Sequence, residues 1–255
     1  MVTHISERQT QFSYFDQVLG KPVWQGSKIL DFGGNVGGFL AGSADHVDHH
    51  DYWCLDVCRG AVEEGRRDFP QAHFIFYNRY SSYFNPNGVR GLPVPDLGLK
   101  FNLILAFSVF THTHLTEMLD LVEQLRQMLL PEGVLAFTFT DPSYDRSLND
   151  PTLPSGSGVV RGFDSPRAQN LSPESADIVA NGRHPQWCVE VDDALYLEPG
   201  GELCQQELTA TSYCSYFTTD YMTLLFPDAS VHPPVSPEWQ HCCVLRNTDR
   251  ARLSS

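Results

Sequence analysis

The sequence predicts an α/β fold with a doubly wound, mostly parallel sheet. Between residues 28 and 140, stretches typical of buried strands alternate with stretches typical of helices, an order that is characteristic of parallel strands joined by helical crossovers. Residues 101–107 form an almost continuous apolar run, as expected for a central strand that is covered on both faces. Residues 28–32 lead into a glycine-rich turn, which is a common junction between a first strand and a first helix.

The predicted elements follow the chain in a regular order. Residues 1–27 are rich in aromatic side chains and predict a partly helical lead-in that caps a main domain of residues 28–255. Strands are predicted at residues 28–32, 52–57, 73–77, 101–107 and 134–140, and helices at residues 37–44, 61–69 and 115–130. The apolar side chains of the last helix fall on one face, and Pro131 and Gly133 end that pattern.

The composition changes after residue 140. Residues 141–186 are rich in Pro, Ser, Asn, Asp and Gly, and a long segment of this kind is expected to be a functional lid or insertion. Residues 194–197 are expected to pair with residues 204–209 as a hairpin. Residues 213–226 predict a helix, and residues 239–246 predict a last strand that returns antiparallel after a Pro-rich connector.

Composition and charge exclude several classes of partner. The formal net charge is −14, which disfavours binding to nucleic acid or to an anionic membrane. The longest apolar stretch, near residues 103–110, is too short to span a bilayer, and the N-terminus lacks the apolar run of a signal peptide. We therefore expect a cytoplasmic protein that binds neither nucleic acid nor a membrane. For its oligomeric state, a monomer or a homodimer is expected.

The glycine-rich turn is the most informative segment. Asp31 ends the first predicted strand, and the turn contains Gly33, Gly34, Asn35 and Gly37. Glycine allows positive φ and close approach to a ligand, and asparagine tolerates the left-handed region. A carboxylate at this place repels a pyrophosphate and attracts a sulfonium or ammonium group. The turn therefore favours a cationic nucleoside such as S-adenosylmethionine over NAD.

A second carboxylate, Asp56, ends the next predicted strand. An acid at this position can accept hydrogen bonds from both ribose hydroxyls. Taken singly, Asp31 also fits a turn or helix-capping carboxylate and Asp56 a solvated strand end. In this order and at this spacing, the two indicate a nucleoside site. The GxxxxGK[ST] motif of a nucleoside triphosphate site does not occur in the sequence.

Four stretches resemble the motifs of class I S-adenosylmethionine-dependent methyltransferases, specifically their small-molecule branch. These are ILDFGGNVGG at 29–38, YWCLDV at 52–57, FNLILAFSVFTH at 101–112 and LLPEGVLAFTF at 129–139. The resemblance covers roughly residues 28–140. It implies a Rossmann-like, seven-stranded sheet with an antiparallel last strand, S-adenosylmethionine as cofactor, and methyl transfer to O, N or C of a small molecule, with specialised metabolism as one setting. The lead-in and residues 141–186 would then supply the acceptor pocket.

The resemblance also implies the roles of individual residues in the cofactor site. The implied cofactor-binding residues are Asp31, Gly33, Gly34, Asn35, Gly37, Asp56, Val57, Asn78, Ala106, Phe107 and Ser108. Asp56 would hold the ribose, and Asn78 would meet the adenine edge, where the family more often has Asp. Two positions depart from the family pattern: Asn35 replaces a usual glycine, and Glu132 replaces the first glycine of the usual Pro-Gly-Gly.

The candidate catalytic residues follow the fourth and fifth predicted strands. Methyl transfer from a sulfonium needs alignment and exclusion of water, and it needs a base only if the acceptor must lose a proton. His112, just past the fourth strand, is the best candidate base, although a structural or helix-capping histidine is an equally supported interpretation. Asp141 and Tyr144, past the fifth strand, are weaker candidates, and Asp141 also fits an Asp-Pro turn.

Three other interpretations remain open at this point. His46, His49 and His50 alternate with acidic residues, but they fall at the amino edge of the predicted sheet and match no zinc spacing, so we expect a solvated loop and no metal. A NAD-dependent Rossmann oxidoreductase is opposed by Asp31. A non-catalytic, regulatory S-adenosylmethionine-binding module is opposed by the intact pair of Asp31 and Asp56.

Overall fold

The computed structural model describes residues 10–81, 84–113, 115–141, 144–148, 152, 187–191, 194–197 and 214–247. The strands in the first half of the chain are β1 (Ile29–Phe32), β2 (Tyr52–Asp56), β3 (His73–Phe76), β4 (Phe101–Ala106) and β5 (Leu129–Phe139). Those in the second half are β6 (Trp187–Val191), β7 (Ala194–Leu197), β8 (Cys214–Phe217), β9 (Ala229–His232) and β10 (His241–Arg246). The helices are α1 (Thr10–Val18), α2 (Gly38–Gly42), α3 (Arg59–Asp68), α4 (Leu115–Gln127) and α5 (Thr219–Leu225).

The main sheet has seven strands in the order β3-β2-β1-β4-β5-β10-β9. The pairs from β3 through to β5 are all parallel, whereas β10 runs antiparallel to both β5 and β9. The predicted fold class, with its antiparallel last strand, is confirmed. Because β10 runs in the opposite direction, its first residues lie at the edge where the parallel strands end.

Apolar layers cover both faces of this sheet. On one face, α1 packs against α2 through Phe12, Phe39 and Trp24, whose rings lie 5.3–5.6 Å apart. On the other face, α4 and α5 contribute Met118, Leu125 and Met222 to a second core. β1 and β4 are buried between the two layers, which explains their nearly continuous apolar sequences. Among the described helices, none is long and apolar enough to cross a membrane.

The boundary between α4 and β5 differs from the prediction. The helix ends at Gln127 and the strand begins at Leu129, although a helix was expected to residue 130 and a strand from residue 134. The register between β4 and β5 shifts between Phe101 and Leu103. A Cβ added at Gly133 would lie only 2.9 Å from the Phe101 carbonyl oxygen. Pro131 and Gly133 therefore lie within an irregular strand. In the sequence, the same two residues indicated the end of a helix, so the strand was predicted to begin only after them.

The C-terminal part differs more strongly. The helix predicted at residues 213–226 is wrong at its start, because Cys214–Phe217 is the strand β8 and α5 begins at Thr219. β9 was not predicted. The described partner of β7 is β6, in a three-stranded antiparallel sheet of order β7-β6-β8. The partner predicted for it, residues 204–209, lies outside the described residues.

Tertiary contacts explain why β8 is a strand. The Ser215 hydroxyl donates to the Thr113 carbonyl over 2.6 Å, and the Phe217 amide donates to the Thr140 carbonyl over 2.9 Å. These two bonds attach β8 to the residues that directly follow β4 and β5. The small sheet of β6, β7 and β8 is therefore anchored at the carboxyl edge of the main sheet, where α/β folds bind their ligands.

Candidate active site

The turn after β1 holds three residues in the left-handed region. Gly33, Asn35 and Gly37 have φ values of 76°, 55° and 86°. Asn35, which replaces a usual glycine of the family pattern, thus adopts a left-handed conformation that asparagine tolerates. A Cβ added at Gly33 would lie 2.4 Å from Cγ2 of Val109. The turn after β1 is thus packed directly against the turn after β4, and any side chain at Gly33 would push the two apart.

The Asp31 carboxylate lies beneath the turn. It is buried, and its Oδ2 accepts a hydrogen bond of 2.6 Å from the Tyr52 hydroxyl. A Cβ added at Gly34 would lie 2.5 Å from the same oxygen. Burial and the neighbouring Asp31 charge hold the pKa of Tyr52 well above its usual value, so the phenol keeps its proton and remains a donor. Tyr52, which sequence reasoning missed, positions Asp31 under the turn.

Asp56 connects the first two turns of the sheet. Its Oδ2 accepts a hydrogen bond of 2.8 Å from the backbone N–H of Asn35, and its Oδ1 accepts one of 2.7 Å from the backbone N–H of Cys58. These bonds fix the plane of the carboxylate, and a carboxylate can accept up to about four hydrogen bonds. Asp56 therefore has the orientation and the chemistry to take a ribose hydroxyl at the end of β2.

The two carboxylates lie close enough to act on one buried group. The pKa of the Cys54 thiol is raised well above its usual value, first by burial and then by the charges of Asp31 and Asp56. Two negative charges around one buried position favour a cationic ligand and disfavour a pyrophosphate. Together with the positions of Asp31 under the turn and Asp56 at the end of β2, this fits S-adenosylmethionine, whose ammonium and ribose hydroxyls the two carboxylates would bind.

Replacing Asp56 is expected to weaken cofactor binding. Asp56→Ala removes charge-assisted hydrogen bonds to the ribose, a loss of about 1–3 kcal/mol, and it also releases the Asn35 amide. Asp56→Asn is the matched control, because it keeps the shape and one acceptor oxygen. Calorimetric titration with S-adenosylmethionine measures the difference, and unchanged affinity in a folded Asp56→Ala protein would contradict the placement of the ribose.

The remaining predicted cofactor residues are distributed over β2, β3 and β4. Val57 is half-buried against the apolar core, Ala106 is fully buried and Phe107 is half-buried. Asn78 is exposed, and its Oδ1 accepts from the Asn85 side chain over 3.2 Å. An exposed amide at the end of β3 agrees with a place at the rim of the site, and its role toward adenine stays a prediction.

Ser108 lies at the centre of a polar network. Its φ is 57°, a strained conformation for serine, and its amide donates to the Thr138 hydroxyl over 2.7 Å. Gln240 accepts from Thr138 over 2.5 Å and donates to the Ser108 hydroxyl over 3.1 Å. The Tyr14 hydroxyl donates to the backbone carbonyl of Gln240 over 2.8 Å. The turn after β4 is thus held by β5, by the residue before β10 and by α1.

This network was not predicted from the sequence. Thr138 lies within the stretch 129–139 that resembles a family motif, whereas Gln240 lies outside all four such stretches and 102 residues away along the chain. The pairing of β5 with β10 brings the two together. The one local signal was a polar threonine at the end of an otherwise apolar strand. A buried threonine and glutamine at the carboxyl edge need partners, and here they find them in Ser108.

The three candidate catalytic residues lie in two places. His112 is half-buried in the turn after β4, and its ring lies edge-on to Phe84 with centroids 5.8 Å apart. Asp141 is buried, and its Oδ2 accepts from both the amide and the hydroxyl of Thr219, over 2.9 and 2.8 Å. Asp141 thus links the end of β5 to the start of α5, as a turn or capping carboxylate does.

Tyr144 lies beside a histidine that the sequence analysis did not single out. Its ring meets the ring of His241 edge-on, with centroids 5.1 Å apart. Burial raises the pKa of Tyr144, and the Asp145 charge adds to this effect. The structure therefore brings Asp141, Tyr144 and His241 together near the end of β5, while His112 follows β4.

The histidines before β2 make local contacts. His46 stacks on Phe12 with centroids 5.4 Å apart, His49 lies edge-on to Phe69, and Asp48 accepts from the His50 amide over 2.9 Å. Within the part of the chain that the structure describes, no group of three or more His, Cys, Asp or Glu side chains could hold a metal ion.

Comparisons with known proteins place this geometry in context. The family described as "Methyltransferase domain" matches residues 30–135, a range that runs from β1 into β5 and contains both carboxylates and the turn after β4. A comparison with curated protein sequences gave no significant match.

Several solved structures share the fold over nearly the whole chain. The PH0226 protein from Pyrococcus horikoshii OT3 is 14% identical with a TM-score of 0.54, covering 96% of this chain and 94% of that one. The glycopeptide N-methyltransferase MtfA is 10% identical with a TM-score of 0.53, covering 95% and 90%. The S-adenosylmethionine-bound CalS10, an amino pentose methyltransferase from Micromonospora echinaspora, is 12% identical with a TM-score of 0.51, covering 96% and 92%. At these identities the likeness concerns the fold.

Proposed function

We propose that this chain, which contains a methyltransferase domain at residues 30–135, transfers the methyl group of S-adenosylmethionine to O, N or C of a small-molecule acceptor. The resemblance that the sequence motifs carried, to S-adenosylmethionine-dependent methyltransferases, is confirmed by the family match. The observation that carries the proposal is the Asp56 carboxylate, held between the amides of Asn35 and Cys58 at the end of β2. A NAD-dependent oxidoreductase loses its support, because both carboxylates oppose a pyrophosphate at this turn.

The chain's own residues have three tasks in this reaction. The cofactor supplies a methyl group on a sulfonium, which is already a good leaving group. Asp31 and Asp56 would hold its cationic and ribose parts, and the Ser108 network would keep the turn after β4 in one conformation. Alignment of this kind supplies a large share of the rate in reactions that need little covalent help from the protein.

The elements at the carboxyl edge of the main sheet favour a small acceptor. β8 is bonded across the residues that follow β4 and β5, and α1 is bonded to the residue before β10. With β8 and α1 both bonded at this edge, a ligand bound between them would be partly shielded from water, which suits a small molecule. The net charge of −14 also disfavours a nucleic acid substrate. MtfA is a glycopeptide N-methyltransferase and CalS10 is an amino pentose methyltransferase, and both activities agree with this proposal.

His112 is the residue that we propose as the proton acceptor. The turn after β4 places it at the carboxyl edge, and β8 bonds to the neighbouring Thr113 carbonyl. An acceptor hydroxyl or amine would give its proton to the imidazole as the methyl group moves. Asp141 and Tyr144 remain weaker candidates, since the Asp141 carboxylate is already engaged with Thr219.

The experiment that tests the proposed function measures transfer itself. Purified protein is incubated with S-adenosylmethionine labelled in its methyl group and a fractionated small-metabolite extract, and products are sought by a mass shift of one methyl. Calorimetry with S-adenosylmethionine and with NADH separates the alternatives. Binding of S-adenosylmethionine without any transfer would support a non-catalytic module, and binding of NADH alone would support an oxidoreductase. We further propose a cytoplasmic monomer or homodimer, which light scattering and cell fractionation check.

Residues 141–186 are predicted to act as a lid, on the evidence of their composition. Apart from residues 141, 144–148 and 152, they lie outside the described residues. Limited proteolysis is expected to cut the protein there first, and S-adenosylhomocysteine together with an acceptor is expected to slow that cut. Equal cutting rates with and without ligands would refute the lid.

A further inference from the structure

His241 has an unsatisfied ring nitrogen at the carboxyl edge of the sheet. It is the first residue of β10, it pairs with Phe139 near the end of β5, and it is only 8% exposed. Its Nδ1 is buried and has no hydrogen-bond partner among the described residues. Buried polar atoms nearly always have a partner, so an orphan beside a candidate active site needs a functional explanation.

The surroundings fix the orientation of this ring. One face stacks on Phe139, with centroids 5.4 Å apart and planes 28° from parallel, and the Tyr144 ring meets it edge-on. The titratable groups described around it are Asp141 and Tyr144. Burial lowers the pKa of His241, and the Asp141 charge opposes this only in part. The imidazole is therefore neutral at neutral pH, so Nδ1 can be an acceptor when Nε2 carries the proton.

We propose that His241 is an acceptor-binding residue, whose Nδ1 accepts a hydrogen bond from a hydroxyl or amine group of the methyl acceptor. The proposal rests on the proposed function, and it adds the chemical class of the acceptor. The acceptor would carry a hydrogen-bond donor next to a flat apolar group, which could pack against the rings of Phe139 and Tyr144. His112 would then take the proton, while His241 selects and orients the acceptor.

The first test needs no acceptor. Protein labelled with ¹⁵N-histidine is saturated with S-adenosylhomocysteine, and the ring nitrogens of His241 are assigned by comparison with His241→Asn. We expect an unprotonated Nδ1 and a protonated Nε2 at neutral pH. A protonated Nδ1 would make this atom a donor and would overturn the proposal. The protonation state is measured on the wild-type ring, and the His241→Asn spectrum serves only to assign the signals.

The second test uses phenol and anisole, which differ in whether the oxygen carries a proton. Phenol is expected to shift the Nδ1 resonance in a saturable way, and anisole is expected to leave it unchanged. Acidification below the pKa of His241 is expected to abolish the phenol response, because the imidazolium has no acceptor nitrogen. Equal responses to both probes, or none to phenol, would overturn the proposal.

Variants separate a hydrogen bond from packing. Asparagine places a carbonyl oxygen near the position of Nδ1, so His241→Asn is expected to bind phenol within a few-fold of wild type. His241→Phe keeps the ring and loses the acceptor atom, and its affinity for phenol should fall about tenfold. The control is His232→Asn, on the neighbouring strand β9, whose Nε2 already pairs with the Ser230 hydroxyl over 3.0 Å; it should change nothing. Equal phenol affinities in wild type, His241→Asn and His241→Phe would overturn the proposal.

The outcomes distinguish this inference from the proposed function. If the protein fails to bind S-adenosylhomocysteine in calorimetry, the methyltransferase proposal fails, and the phenol titration on the ligand-free protein still decides the role of His241. If the cofactor binds and the Nδ1 resonance ignores phenol, only the acceptor-binding role is lost.

Discussion

His112→Gln is expected to slow methyl transfer to a hydroxyl or amine acceptor by about a hundredfold to ten-thousandfold, the usual contribution of a positioned general base. Glutamine keeps much of the size and polarity of histidine and cannot take a proton near neutral pH. The affinity for S-adenosylmethionine should barely change, because His112 is not among the residues that we propose to hold the cofactor, such as Asp31 and Asp56. The acidic limb of the pH–rate profile should flatten, since the protonation of His112 no longer limits the rate.

The measurement is steady-state kinetics over a range of pH, with calorimetry for the cofactor. The matched control is His50→Gln, in an exposed loop before β2, which should leave both the rate and the pH profile unchanged. An acceptor that is already ionised at neutral pH, such as a carboxylate, would instead show mainly a raised KM. Normal turnover, a normal KM and a lowered melting temperature would show that His112 is a structural residue.

Asp228→Ala is expected to lower the free energy of unfolding by about 3–5 kcal/mol, because it leaves a buried charge without its partner. Nη2 of Arg126, on α4, lies 2.6 Å from Oδ2 of Asp228, which precedes β9, and each side chain is only 9% exposed. Nε of Arg126 is buried without a partner among the described residues, so the guanidinium depends strongly on Asp228.

Urea unfolding followed by circular dichroism measures this effect. The matched control is Asp120→Ala, which removes the partner of another arginine: Asp120 is 54% exposed and its Oδ2 lies 3.8 Å from Arg79 Nη2. Such an exposed pair contributes about 0–1 kcal/mol. Similar small losses for the two variants would show that Arg126 finds water or another partner when Asp228 is absent, and the ion pair would then not stabilise β9 against α4.

The parts of the protein that the sequence predicted well are those with a local cause. β1, β2 and β4 are short apolar strands in a sheet covered on both faces, so burial leaves a continuous apolar run in the sequence. The glycine turn and the acids Asp31 and Asp56 stand directly after such runs. Strand ends of a parallel sheet meet at one edge, so the order along the chain was enough to place both carboxylates at that edge and to predict a nucleoside site there.

Tertiary contacts decided the rest. Cys214–Phe217 is a strand because its polar groups are taken by Thr113 and Thr140 and by β6, although the same residues continue into a helical pattern. Gln240 and His241 reach the site only because β10 runs antiparallel to β5. The sequence by itself determined the fold class, the glycine-rich turn after β1 and the positions of the two carboxylates at strand ends, since these depend on neighbours within a few residues. The arrangement of the residues that follow β4 and β5 depends on hydrogen bonds between residues 102 positions apart, and only the folded chain brings those partners within reach.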